Sequence, residues 1–153
     1  MKHYKDESNN LYAYESDGSQ DAFIKEGLVP ISDEDLAAMI APTTEQLLSQ
    51  LTAARKEQER QGVVINGIRY AGDPSNRQAL QEAIAFMEDA GLTEFESWKD
   101  SDNAFHASHP VVDVADAYQA IGARRAELIA AEGEYAAQIT GGTFTDLSLV
   151  TWP

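Results

Sequence analysis

The sequence predicts an α+β fold: a small N-terminal β-unit, a helical connector, then a ββαββα module with a long C-terminal helix and a short β-like arm. Three observations carry that prediction. Two aromatic runs, Lys2 to Asp6 and Leu11 to Glu15, flank the polar link Glu7-Ser8-Asn9-Asn10. Asn66-Gly67 sits between two apolar runs, a strong hairpin signal, because a type I′ turn needs positive φ at both central residues. From Pro110 to about Ile139, apolar residues recur at helical spacing. The expected boundaries are 1–42 for the β-unit with a short helix, 43–61 for the connector and 62–153 for the C-terminal module.

The N-terminal unit reads as a hairpin followed by a turn and a helix start. Asn and Ser in the link tolerate turn conformations. Alternation places Tyr12 and Tyr14 on one face of the second run, with Tyr4 on the first. Asp17-Gly18 marks the next turn. A lone hairpin is marginal in water, so Phe23, Ile24, Leu28 and Ile31 are expected to cover one face. Ser32 followed by Asp33, Glu34 and Asp35 caps a helix, and Pro42 interrupts it. Thr43 with Gln46 forms a second capping box.

Leu47, Leu48 and Leu51 give the next helix a short apolar stripe. From Ala53 onward the pattern is polar nearly all round until Gly62. A helix apolar in its first half and solvated in its second bridges two modules. The alternative is a two-helix contact through the three leucines.

Within the C-terminal module, Asp73-Pro74 opens a helix with cap and first-turn proline in place. Its apolar face is Ala79, Leu80, Ala83, Ile84 and Met87, and Gly91-Leu92 supplies the stop. Glu94–Lys99 and Ala104–Ala107 form a second hairpin around Asp100-Ser101-Asp102-Asn103, with Trp98 and Phe105 as expected inward anchors. The long helix carries Val114, Ala117, Tyr118, Ile121, Leu128 and Tyr135 on its stripe, interrupted by Arg124 and Arg125. Gly141-Gly142-Thr143 is a hinge to the final arm, in which Thr143 to Thr151 reads as β-like before Trp152-Pro153.

Charge narrows the function classes. The net charge is −15, from 26 acids and 11 bases, and it is spread along the whole chain. Nucleic-acid binding and anionic membranes both require clustered Lys and Arg, so neither partner is expected. There is no cysteine, which removes disulfides and thiolate metal sites. No apolar run approaches a bilayer span, and the start lacks a signal-peptide core.

Two stretches resemble proteins of tailed bacteriophages. Tyr4-Lys5-Asp6, Leu11-Tyr12-Ala13-Tyr14, Asp17-Gly18-Ser19 and Gly27-Leu28-Val29-Pro30-Ile31-Ser32 resemble the opening of tail-fibre assembly proteins. Val64-Ile65-Asn66-Gly67-Ile68-Arg69-Tyr70, Asp73 and Trp98-Lys99-Asp100-Ser101-Asp102-Asn103-Ala104-Phe105 resemble an uncharacterised domain at the end of tail-fibre assembly and other tail-associated proteins. Ala71-Gly72 and His106-Ala107-Ser108-His109 depart from that pattern. The resemblance implies an assembly chaperone, not an enzyme, in phage or prophage tail-fibre production. Its expected partner is the C-terminal tip of the fibre, and its expected place is the host cytoplasm, with the virion tail as the alternative. Rival readings are a structural tail protein, an acidic inhibitor of a host nucleic-acid enzyme and, against the motif search below, a small hydrolase. The oligomeric state stays open between monomer and dimer.

The motif search yields no phosphate loop and no Gly-x-Ser-x-Gly elbow. His106-x-x-His109 is the best metal pair, with Asp100, Asp102 or His3 as a third ligand; two surface histidines are the plainer reading. Asp100-x-Asp102 lacks the Gly and terminal Glu of a calcium loop. No catalytic residue, metal site or cofactor is expected. Aromatic side chains anchor protein interfaces. The expected partner-binding residues are therefore Tyr4, Tyr12, Tyr14 and Phe23.

Overall fold

Short runs punctuated by turn residues build the first part of the chain. In the computed structural model, which describes residues 1–153, Lys2–Lys5 forms β1, Leu11–Tyr14 forms β2 and Val29–Ile31 forms β3. Asp6 fastens the β1–β2 link: its carboxylate accepts the Ser8 and Asn10 N–H groups, each at 2.9 Å. The sheet runs β2-β1-β3, antiparallel throughout. β3 is an addition to the expected hairpin, and it lies on the other side of β1. Helix α1 spans Asp33–Ile40. The Ser32 hydroxyl accepts the Asp35 N–H at 3.0 Å, and three acids in the first turn suit the positive helix end.

The chain divides into two units, Met1–Thr43 and Thr44–Pro153. Together they are α+β, with four helices and small antiparallel sheets. The second unit holds α2 (Thr44–Gln61), β4 (Val63–Ile65), β5 (Ile68–Tyr70), α3 (Pro74–Asp89), β6 (Glu94–Lys99), β7 (Phe105–Pro110) and α4 (Val111–Thr140). The β4–β5 turn has the positive φ that a type I′ turn demands, 51° at Asn66 and 81° at Gly67. Asp73 caps α3 by accepting the Ser75 and Asn76 N–H groups. At the other end, the Leu92 N–H returns to the Met87 carbonyl at 2.9 Å, a Schellman closure.

Helix α4 is the spine of this unit and serves two cores. Near its start, Val114, Ala117 and Ile121 meet Tyr70 and Leu80, with Val63, Ile65, Ile68 and Ile84 packed around them. Toward its end, Ile139 meets Leu47 and Leu51 of α2. Each fully buried side chain of this size contributes about 1.5–3 kcal/mol.

That second core corrects the expected connector. Residues 43–61 are not a solvated bridge; α2 lies against α4. In the polar half, Arg55 and Glu59 form one face of an ion network, while Lys56, Glu57, Arg60 and Gln61 stay exposed. Arg55 binds Glu59 within α2 and Glu132 on α4. Glu59, only 8% exposed, also faces Arg77 of α3 at 3.6 Å and Arg125 of α4 at 3.3 Å. Arg124 reaches Gln58. The two arginines that interrupt the α4 stripe are there to meet α2.

The final arm is not β-like. Leu147–Leu149 is a 3₁₀ turn, opened by Asp146 accepting the Ser148 N–H at 3.0 Å. It folds back on α4. Phe144 and Trp152 lie 5.1 and 6.5 Å from the Tyr135 ring, and the Tyr135 hydroxyl accepts the Thr151 N–H.

Two outcomes follow for stability. A Cβ at Gly62, where φ is +71°, would run into the Tyr70 carbonyl and the Ala71 Cα, whereas a Cβ at Gly67 meets open space. Gly62→Ala should therefore cost about 2–4 kcal/mol, positive-φ strain plus a backbone clash. Gly67→Ala should cost only the strain, about 1–2 kcal/mol. Urea unfolding of both variants gives the comparison, and equal losses would contradict the close passage at Gly62. Glu59→Ala leaves Arg55 without one of its two carboxylates in a buried site, and should cost about 3 kcal/mol.

Candidate functional site

The first unit brings three of the four expected residues together. Alternation puts Tyr4, Tyr12 and Tyr14 on one face of the sheet. Tyr4 lies directly opposite Tyr12 and packs edge-on against Tyr14, with centroids 5.6 Å apart at 82°. The Tyr12 hydroxyl donates to Asp6 at 3.0 Å, and Lys25 Nζ sits 5.3 Å from the Tyr12 ring centroid. The Asn10 side chain and backbone amides hold the Asp6 carboxyl below its ordinary range, and Asp6 in turn raises the Tyr12 phenol. A shallow cleft of about 420 Å³ runs beside this pair, between the β1–β2 link and Lys25-Glu26-Gly27-Leu28.

Phe23 stands apart. It lies on a 3₁₀ turn, Asp21–Phe23, is 72% exposed, and makes no ring contact with the tyrosines. It does not cover the sheet as expected. Leu11, Val29 and Ile40 are exposed as well, and no residue of 1–43 is buried. The tyrosines are half-buried against one another. The unit is therefore a scaffold with an aromatic face and no dry core of its own.

The second unit contains a buried polar cluster that sequence reasoning assigned to the surface. His109 is 2% exposed, and its Nε2 lies 2.6 Å from the Tyr70 hydroxyl, itself on a residue 2% exposed. Trp98 stacks on His109 at 5.6 Å, and Phe95 packs on Trp98 at 4.9 Å. Trp98 Nε1 is enclosed without a hydrogen-bond partner. His106 pairs with Asp100 at 2.8 Å. Phe105, expected inward, is 73% exposed. It pairs with Lys99, while its neighbour His106 pairs with the inward Trp98; beyond it lies Ser108, where φ is 51°. Ser108 breaks the strand alternation, so His106 and His109 both face in, opposite Trp98 and Phe95. A positive φ at serine leaves no mark in the sequence. Each histidine is engaged by a protein partner, and no three His, Cys, Asp or Glu residues stand together as a metal site would require.

Between α3 and α4 a groove of about 320 Å³ is lined by Ile84, Ala85, Ala115 and Tyr118 with polar residues at its rim. No helix is long and apolar enough to cross a membrane.

A family model described as a domain of unknown function, DUF4376, matches residues 42–150. The match spans nearly all of the second unit and leaves all but the last two residues of the first outside it. No curated protein matches the chain, and no solved structure does.

The Tyr70–His109 pair gives the second unit a pH dependence of definite sign. Burial pushes the His109 imidazole below its ordinary 6.5, with His106 adding to the fall and Asp113 opposing it. The unfolded chain therefore binds a proton that the folded chain refuses, and stability falls as pH drops through 6.5. Carboxylates such as Asp73 act in a lower window: burial pushes its carboxyl up, but the bonds from Ser75 and Asn76 win and hold it at about 2. The urea midpoint should decline between about pH 7 and pH 5.5, and His109→Gln should flatten that slope. A slope unchanged in the variant would remove His109 as its source.

Proposed function

The chain belongs to the DUF4376 family, whose description assigns no function, and we propose that it is an assembly chaperone for a phage or prophage tail fibre. The observation that carries this reading is the first unit. It has an aromatic face, exposed Phe23 and Val29, and not one buried residue among 1–43. Such a surface gains most by covering, and being covered by, another protein. The resemblance of both units, in order, to tail-fibre assembly proteins supplies the class of partner. Acidity along the chain keeps it soluble while apolar side chains stay exposed.

The mechanism is transient shielding. The first unit binds apolar surface at the C-terminal tip of the fibre, in the host cytoplasm, until the fibre chains associate. Tyr4, Tyr12 and Tyr14 contribute rigid contact area at low entropic cost, and Phe23 is positioned as a separate exposed contact. Binding needs shape complementarity and no chemistry at the partner. The second unit, held together by α4, is a stable body that carries the binding unit.

Co-expression with the adjacent fibre should raise the yield of soluble, trimeric fibre. Tyr12→Ala with Tyr14→Ala should abolish that gain while the far-ultraviolet circular dichroism of the chain is kept. Full rescue by the double variant would place the contact elsewhere, with the Ile84–Tyr118 groove as the next surface to test. No effect of the intact chain on fibre solubility or infectivity would remove the chaperone reading and leave the structural tail protein.

A further inference from the structure

The two edges of the first unit's sheet are not alike. The Asp6 N–H donates to the Asn10 carbonyl at 3.1 Å, which fixes that position as a hydrogen-bonded pair. Antiparallel ladders alternate bonded and non-bonded pairs. Tyr12 and Tyr14, opposite Tyr4 and Lys2, therefore turn their backbone groups toward β1. Those of Leu11 and Ala13 point outward, and no group of the chain bonds them. The next outward donor, the Glu15 N–H, is already taken by the Gln20 side chain at 2.9 Å.

The same alternation settles the other edge. His3 and Lys5 turn their backbone groups to Ile31 and Val29 of β3. The residue between these two, Pro30, is the one that faces outward, and it has no N–H to offer. An outward proline is a common way to blunt an edge strand. β2 has no proline, no charged residue and no bulge. One edge is closed and the other is open, with both Leu11 and Ala13 exposed.

The charges around β2 say what fits there. Residues 1–43 carry nine carboxylates and three lysines. Lys2 is held by Asp21 at 2.5 Å, and Lys25 lies over the Tyr12 ring. Lys5 sits on β1, opposite Leu11. Glu7 precedes β2, while Glu15 and Asp17 follow it. The open edge is thus neutral along its length and acidic at both ends. A second copy pairing antiparallel would bring the Glu7 end of one chain to the Glu15 end of the other, carboxylate against carboxylate.

We propose that the outer edge of β2 accepts an extended strand of a partner protein, with a neutral centre and a basic residue at each end, as a fourth strand of the sheet. The added strand bonds to the Leu11 and Ala13 backbone, and alternate side chains lie beside Tyr12 and Tyr14 on the aromatic face. Main-chain bonds give such pairing its affinity, and side-chain fit and charge give it selectivity. The proposal rests on the reading that the first unit binds a partner, and it names that partner's chemistry. Its test uses no fibre, so its failure and the failure of the chaperone reading are separate results.

The probe is the synthetic peptide Lys-Thr-Val-Thr-Val-Lys, added to the full isotope-labelled chain, with Glu-Thr-Val-Thr-Val-Glu as its acidic counterpart. The basic peptide should slow amide exchange at Leu11 and Ala13 by about tenfold or more, and leave Tyr12 and Tyr14, which already bond β1, unchanged. The acidic peptide should do nothing, and salt should weaken the basic one. Ala13→Pro, which removes an outward donor and spares the β1 ladder, should abolish the protection. Leu11→Lys keeps every backbone group, and should weaken the basic peptide about tenfold through like charge. The proposal is overturned if millimolar basic peptide leaves Leu11 and Ala13 unprotected, or if both peptides protect equally. It is also overturned if protection rises with protein concentration alone, which would assign the edge to a second copy.

Discussion

The second unit depends on one close passage of backbone against backbone. The end of α2 crosses the corner between β5 and α3, with Gly62 against the Tyr70 carbonyl and Gly72 against the carbonyl of Glu59. The Gly72 N–H closes the crossing on the Arg60 carbonyl at 3.4 Å. Only glycine on both sides lets the chains come this near. Once they do, the rest is constrained. Glu59 comes within reach of Arg77 and Arg125, Tyr70 enters the core, and α2 lies along α4 where Leu47 and Leu51 find Ile139. Ala71-Gly72, a departure from the pattern that this module resembles, is part of this crossing.

What was legible in the sequence was local. Asn66-Gly67 gave a turn, Asp73-Pro74 a helix start and Gly91-Leu92 a helix stop, because each signal and its structural consequence lie within a few residues. The fate of α2 was not local. Arg55 meets a partner 77 positions away, and a helix polar on every side looks solvated until its counter-charges are in place. The β6–β7 hairpin was foreseen but its facing was not. Pairing of His106 with Trp98 turns Phe105 out, and one serine with a positive φ brings His109 in beside His106. β3 was not anticipated; its Pro30 is tolerated because it sits at an edge position that needs no donor.

The placement of the expected partner-binding residues was legible to a similar degree. Period-two alternation was enough to put Tyr4, Tyr12 and Tyr14 on one face. Nothing in the pattern revealed that Phe23 would turn away, because its orientation comes from a 3₁₀ turn between strands. Both outcomes have the same root. The first unit is too short to enclose a core, so its aromatics stack on one another where strand geometry allows and otherwise remain in solvent. A sheet of this kind has little holding each strand except its ladder and its surface contacts, and its order is sensitive to what lies against it.

This divides the chain's tasks on physical grounds. The family match covers the unit with a spine, two cores and an ion network around Glu59, where most changes would cost folding energy. The unit outside the match has no buried side chain to preserve, so its surface can change with little loss of folding energy. On the proposed chaperone reading, that division lets new contacts be tried on the first unit without risk to the body of the second. The two edges of the first unit's sheet differ as well. On the proposed reading of the β2 edge, Pro30 leaves only that edge to an added strand, and the acidic ends of β2 select which strand it is.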